Sequence, residues 1–563
     1  MKYKLLCLTL FMGLCRFSAE AQELRNPFDF PALLSGGFGE LRANHFHSGI
    51  DFKTQGVEGK AVHAVQNGYI CRIVVSPWGY GNALYLMHPD DSTVTVYGHL
   101  QHFEKEVAAY VKAQQYERES FSVDLSLTPE QFPFKKGDII AYSGNTGGSG
   151  GPHLHFEIRD ALTEEPLDPL PCYKDIINDS RPPKVRAVMI YPSEGQGVVN
   201  GSKQKQVLQL TTGKDGKQSV SGKVEAWGKV AFSINIDDYM DGTTNVYGVR
   251  ELSMSVDDQL LFHSFLDRFS FDETRYINAW VDYETWQEKH SFYTKTFVEP
   301  GNHLRFISSR NRGYLTIDEP RTYHVLFQLT DTYGNTSKLP VEVKGKEQTI
   351  AAPDTAGTTL FSWNRENRFG AKGVRLSIPY GCLYKSVNFR YTAKKDTAGI
   401  YLSDIHILHN KPVPLHKPAK LSLYLVNDTL AEERQYGVVS LQNKRRTWIG
   451  GTYRERWIDA NIKELGSYTV MVDTVAPKIN PIEPAQWVTK KKIEFRLTDN
   501  LSGVSSYRGE IDGNYALFEM DGKKALISYA FDPDRLSRGK HTLTMTVTDD
   551  CGNRSVYEND FSW

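Results

Sequence analysis

Along most of the chain, apolar and polar positions alternate in short runs rich in Val, Ile, Tyr, Phe and Thr, broken by Gly, Asn-Gly or Asp-Gly turns. The stretches AVHAVQNGYICRIVV (61–75) and TLTMTVTDD (542–550) are typical, and a period of two predicts strands with one buried face. A helical period interrupts this pattern most clearly in FEKEVAAYVK (103–112), where Phe103, Val107 and Val111 recur every fourth residue. Thr128-Pro129-Glu130 offers a cap and a first-turn proline, predicting a second short helix. The fold class expected is mainly β. A chain of 563 residues is too long for one core, so several domains are expected.

An internal repeat divides the later part of the chain. DSRPPKV (179–185) returns as DTVAPKI (473–479), FSINIDD (232–238) as FRLTDN (495–500), and LTDTYGNTS (329–337) as VTDDCGNRS (547–555). Three matches in the same order imply duplicated modules, and short strands with regular turn signals suggest immunoglobulin-like β-sandwiches, the first enlarged by insertions. Asp and Asn in the D-x-x-G-N turns are read as turn formers bonding their own backbone. The boundaries expected are a signal peptide at 1–21, a first domain at 22–178, sandwiches at 179–350 and 473–563, and a β-rich unit of unclear type at 351–472.

The start of the chain changes the picture of where the protein works. Two lysines in MKYK precede an apolar run from Leu5 to Leu14 and the small-residue site Ala19-Glu20-Ala21. That layout predicts a secretory signal cut after Ala21, and the run is shorter than the roughly 20 residues that span a bilayer. No later segment reads as a membrane span, so a secreted or periplasmic protein of the cell envelope is expected. Lys and Arg total 66 against 67 Asp and Glu, interspersed, which argues against a nucleic-acid partner. Beyond the signal, Cys71, Cys172, Cys382 and Cys551 are too scattered for a disulfide scaffold or thiolate zinc site. Pairing of Cys71 with Cys172 is left open.

Candidate chemistry is confined to the N-terminal third. In GPHLHFE (151–157), strand geometry puts His153 and His155 on one face. Such a pair serves as joint metal ligands, as one ligand and one proton-transfer group, or as polar residues on a solvated strand. Upstream stand HFHSGIDF (45–52), with His47 and Asp51 four apart, and YGHL (97–100), with His99. Zinc suits imidazole and carboxylate donors, and hydrolytic zinc sites take three protein ligands with a fourth position for water.

These motifs, H-x-x-x-D, then YGHL, then SGNTGGSGGPHLHFE (143–157), resemble the lysostaphin-type (LytM-like) zinc peptidases of peptidoglycan. The resemblance extends to GFGELR (37–42), WGYGN (78–82) and KKGDIIA (135–141) and covers about residues 30–165. It implies a β-sheet peptidase domain, Zn2+ held by His47, Asp51 and His155, and His99 and His153 as unliganded catalytic histidines. Their separate roles stay open. It also implies a zinc endopeptidase acting on peptidoglycan stem peptides or cross-links, with a non-catalytic regulator of a cell-wall amidase as the alternative. A further envelope protein or glycan is a candidate partner of the C-terminal modules.

Other polar residues nearby receive plainer readings. His45 is a weak candidate for the site, and His63, His88 and His102 are expected to be packing or surface residues. Glu157 shares the face of His155 and is weighed as its hydrogen-bond partner against a solvated glutamate, the latter preferred. Asn145 shapes the turn before the histidine strand. The insertion at 103–134 is placed to narrow the cleft or cover it. No closely spaced carboxylate pair suggests glycan cleavage.

Overall fold

The computed structural model describes residues 24–428, 432–442 and 445–563, and the predicted signal peptide lies outside them. The fold is mainly β, as the alternating pattern predicts. The first unit is built on a nine-stranded sheet in which three strands matter for function: β1 (Ile50–Lys53), β2 (Thr93–Leu100) and β3 (His153–Asp160). β3 lies between β1 and β2, antiparallel to both. Its alternate residues Leu154, Phe156 and Ile158 enter a core with Phe52, Tyr97 and Tyr173, leaving His153, His155, Glu157 and Arg159 on the opposite face.

The expected helix is present as α1 (Lys105–Glu117), with the Glu104 carboxylate accepting from Glu106 N at 2.8 Å as its cap. Phe103 falls in the strand before it. Val107 and Val111 join the core of the first unit. Thr128-Pro129-Glu130 does not start a helix. Gln131 bonds back to Thr128 through both its backbone N (3.2 Å) and its side chain (2.8 Å), closing a single turn before the strand Pro133–Phe134. The four cysteines among the described residues are free, so no Cys71–Cys172 bridge forms; Cys71 Sγ donates to Tyr85 O instead.

Three β units follow, with separate cores around Phe232 and Phe327, around Leu421 and Val438, and around Phe495 and Met545. The first uses a ten-stranded sheet, the second two five-stranded sheets and a two-stranded one, and the third two four-stranded sheets. The duplicated segments occupy matching places: Lys184 pairs with Asp237 in one unit and Lys478 with Thr498 in the other.

The units grip one another. Phe46, next to His47, is 2% exposed and packs against Phe269, Trp280 and Phe306 of the second unit. Burial of such a ring contributes about 1.5–3 kcal/mol. The insertion carrying α1 faces the last unit: Lys112 pairs with Asp532 at 2.7 Å, Glu119 with Arg508 at 2.7 Å, and the Arg535 guanidinium lies 3.6 Å from the centre of the Tyr116 ring. It is a bracket for the C-terminal module.

Candidate metal and catalytic site

Antiparallel register brings the first pair of residues together. His155 of β3 lies directly opposite Asp51 of β1, and on its other side opposite Gly98 of β2, which has no side chain to crowd the imidazole. His47 arrives from the connection before β1, where Gly39 N donates to His47 O at 2.8 Å and His47 N to Glu40 O at 2.9 Å. The three are 6%, 6% and 4% exposed for His47, Asp51 and His155, so none is a solvated surface group.

Their donor atoms converge. His47 Nε2 lies 3.0 Å from His155 Nδ1 and 3.1 Å from Asp51 Oδ1, and His155 Nδ1 lies 3.0 Å from that same oxygen. The other nitrogen of each ring is committed: His47 Nδ1 donates to Gly37 O at 2.7 Å, and His155 Nε2 to Glu157 Oε1 at 2.7 Å. In the neutral rings those bonds fix the tautomers, so His47 Nε2, His155 Nδ1 and Asp51 Oδ1 all present lone pairs to one another. Three buried lone-pair donors at contact distance repel unless a cation lies among them, and two imidazoles with one carboxylate are a fitting set for zinc. Close packing protects the arrangement: a Cβ on Gly36 would lie 2.4 Å from Asp51 Oδ2.

Electrostatics agree with that picture. Burial pushes the Asp51 carboxyl up, but the charge and hydrogen bonds of His47 and His155 outweigh it and hold the group well below the carboxylate range. Burial likewise pulls His155 down, yet the bonds to Asp51 and Glu157 prevail and push it up to about 9. With no metal ion, a proton takes the cationic place. Arg42 Nη2 stands 3.4 Å from Asp51 Oδ2 and 3.0 Å from Glu40 Oε2.

His99 and His153 stand beside this cluster and outside the ligand triangle. Their ring centres are 4.8 Å apart, and His153 Nε2 lies 3.5 Å from Asp51 Oδ1. Each has Nδ1 tied to a backbone carbonyl at 2.8 Å, Thr146 O for His99 and Gly151 O for His153, so each neutral ring keeps a lone pair on Nε2. His99 holds this pose with φ of +60°, a left-handed conformation that costs a non-glycine residue of order 1 kcal/mol or more and concentrates at functional sites. Burial first, then the neighbouring His155 and His153 rings, push His99 down to about 3; burial also lowers His153.

Glu157 is the residue that the sequence reading misjudged. It is fully buried, bonded to His155 and to Tyr80 Oη (2.6 Å), and paired with Arg159 at 2.6 Å. The sequence held the signal: His153, His155, Glu157 and Arg159 alternate with Leu154, Phe156 and Ile158, so a partner for the glutamate shares its face. Ser48 Oγ donates to Glu157 Oε1 and lies 3.1 Å from Tyr80 Oη, and no local signal marks Ser48, Tyr80 or Arg159 as members of this group. His45 is exposed and turned to Ala43 O, outside the site. His63 and His88 are buried structural residues, bonded to Gly137 O and Asn67 O, and the His102 ring lies 4.4 Å from that of Tyr142.

The turn before β3 is held from the far end of the chain. Lys523 Nζ of the last unit donates to the Asn145 carbonyl, and to Asn145 Oδ1 and Ser149 O at 3.2 and 3.0 Å. Ser149 Oγ in turn lies 3.1 Å from His153 Nδ1.

Comparison with known proteins places these observations. Residues 45–116 match the model of Peptidase family M23, and residues 358–473 match that of a Zu5-like domain. The chain is 29% identical over 147 residues to lysostaphin of Staphylococcus simulans, covering 26% of this chain and 23% of that protein. It is 32% identical over 152 residues to an uncharacterized metalloprotease of Haemophilus influenzae, covering 27% and 26%. A DD-carboxypeptidase/endopeptidase Mpg of Neisseria meningitidis serogroup B is 29% identical over 130 residues, covering 23% of each. The chain thus spans about a quarter of the length of these relatives. The solved catalytic domain of S. simulans lysostaphin aligns with 25% of this chain and 90% of its own, at 26% identity and a TM-score of 0.19.

Proposed function

From the premise that the chain carries a Peptidase family M23 domain homologous to lysostaphin and related peptidases, we propose that it is an exported zinc-dependent endopeptidase of peptidoglycan. The bonds it would cut lie in stem peptides or cross-links. The observation that carries this reading is the meeting of three metal-ready lone pairs with two further imidazoles whose Nε2 atoms are uncommitted. Export rests on the sequence of residues 1–21. Among the described residues no helix is long and apolar enough to cross a membrane.

His47, Asp51 and His155 would hold the zinc, which would supply Lewis acidity for the scissile carbonyl and for a water. The remaining work falls to the chain. His153 is placed to take a proton on Nε2, which is uncommitted and stands beside the ligand triangle, 3.5 Å from Asp51 Oδ1. Once charged, that imidazolium is the donor available to the leaving amine. His99 stands beside it, kept neutral by burial and by the neighbouring His155 and His153 rings, so its Nε2 lone pair orients the attacking water by accepting a hydrogen bond. Glu157 fixes the His155 tautomer, and Arg159 keeps Glu157 ionised.

Mass analysis of fragments released from purified peptidoglycan, with and without a chelator, tests the reading. New peptide termini that vanish on chelation are expected; a metal-free protein that binds the wall and releases nothing would replace it with the regulator. Glu157→Gln is expected to keep the fold but weaken zinc binding by about 10–100-fold in a competition titration. It should also cost about 3 kcal/mol of stability, since Arg159 loses its buried partner.

A further inference from the structure

The duplicated modules bring three carboxylates together twice. Asp179, Asp238 and Asp331 in one, and Asp473, Asp499 and Asp549 in the other, each offer an oxygen within 4.8 Å of the other two. The positions are equivalent. Asp179 and Asp473 open the repeated segments, Asp331 and Asp549 open the D-x-x-G-N turns, and the register of Lys184 with Asp237 and Lys478 with Thr498 aligns Asp238 with Asp499. Asn335 Nδ2 reaches Asp179 O at 3.1 Å and Asn553 Nδ2 reaches Asp473 O at 3.0 Å, fixing the same geometry in both.

The turn-forming role expected from sequence accounts for part of each cluster. Asp331 accepts from Tyr333 N and Asn335 N, and Asp549 from Asn553 N. It does not account for the rest. Asp238 is 2% exposed, and its Oδ1 is buried without a hydrogen-bond partner; Asp179 and Asp499 are half-buried residues whose Oδ2 and Oδ1 atoms are covered and unpartnered. Leaving such an oxygen unsatisfied costs about 1–3 kcal/mol, and more when it is charged. Among the described residues no lysine, arginine or histidine comes within ion-pair distance of any of the six; Arg181, whose charge reaches Asp238, donates its hydrogen bonds to Met240 O and Thr243 O. A small cavity of about 20 Å³, lined by Asp238, Asp331, Asp168 and Arg250 among others, lies against the first cluster, with Arg250 Nε 3.9 Å from Asp168 Oδ2.

We propose that the two clusters are calcium sites. All three donors in each are carboxylate oxygens, with no imidazole or thiolate, which selects a hard cation over zinc. The three oxygens of each cluster, all within 4.8 Å of one another, fit inside the roughly 5 Å that separates opposite ligands bound at about 2.3–2.6 Å, and calcium tolerates an irregular all-oxygen set where magnesium demands a near-ideal octahedron and keeps its waters. Each site sits where one unit hands over to the next. The first also leads to the catalytic centre: Asp238 and Tyr247 exchange backbone bonds of 3.3 and 3.0 Å, Tyr247 Oη donates to Leu34 O at 2.9 Å, and the Tyr247 ring lies against Gly37, whose carbonyl orients His47. Calcium there stiffens the segment that aims a zinc ligand.

Isothermal titration of the zinc-loaded chain with calcium chloride tests this. Two sites per chain are expected, with affinities of about 0.1–1 mM as in extracellular modules, and at least about tenfold weaker binding of magnesium chloride. Asp238→Asn and Asp499→Asn should each remove one site, and calcium should raise the melting temperature of the wild type but not of the double variant. Absence of binding at millimolar calcium, or a stoichiometry that neither variant changes, would show that the carboxylates share protons and overturn the proposal. If Asp238→Asn does not fold, Asp499→Asn, in a separate unit, and the wild-type thermal shift remain decisive.

Discussion

The His153→Ala protein is expected to retain one zinc ion per chain yet to cleave peptidoglycan roughly 10²–10⁴-fold more slowly, the range for loss of a proton-transfer group. The separation of effects follows from position. His153 shares a strand face with His155, but its Nδ1 is occupied by Gly151 O and Ser149 Oγ, and its Nε2 stops 3.5 Å from Asp51 outside the ligand triangle. Its side chain is 16% exposed, so truncation opens no sealed cavity and the melting temperature should change little. Zinc by elemental analysis and fragment release by mass analysis read the two halves independently. Undiminished release would remove His153 from the chemistry, and loss of zinc would make it a ligand.

Asp51→Ala should do the opposite and empty the site, with zinc falling below about a tenth of an equivalent and activity to background. Asp51 is the sole anion among the three donors, and its Oδ1 touches both imidazoles. Without it two buried neutral rings face each other and cannot offset the cost of drying a divalent ion. Asp51→Asn removes the charge at constant shape and serves as the control for folding. The same geometry sets a pH dependence. Because the free His155 holds its proton up to about 9, zinc must displace that proton at every lower pH. Affinity should therefore decline by about tenfold per unit as pH falls below 9, measurable by chelator competition. Stoichiometric zinc in Asp51→Ala, or pH-independent affinity in the wild type, would require another ligand set.

Much of this site was legible because strand geometry is simple. A period of two already places His153 and His155 together, and the glycine-flanked His47 and Asp51 announce a turn into a strand. The cross-strand meeting of Asp51 with His155 depends on register, which alternation narrows but does not fix. Glu157 was misread for a related reason: a strand glutamate is usually solvated, and only a sheet continuing on both sides, with Tyr80 above and Arg159 beside it, turns that default over. The aspartates of the repeat show a different limit. Local spacing reveals that Asp331 and Asp549 can form turns, but it carries no trace of Asp179 or Asp473 approaching from far away in the chain. The turn at Thr128 failed as a helix because its starting signals were followed by too few residues to sustain one.

The grip of Lys523 on the turn before β3 has a consequence for how the histidine strand keeps its aim. That turn contains Gly147, Gly148, Gly150 and Gly151, whose backbones have the most freedom to lose, and ordering each residue costs about 1–2 kcal/mol in entropy. A cation anchored in a separate sheet, reaching two of the turn's carbonyls, holds down that disorder from outside. The sharpness of the candidate site is thus partly stored in the tail of the polypeptide, and shortening that tail would blur a residue hundreds of positions away while leaving His47, Asp51 and His155 in place.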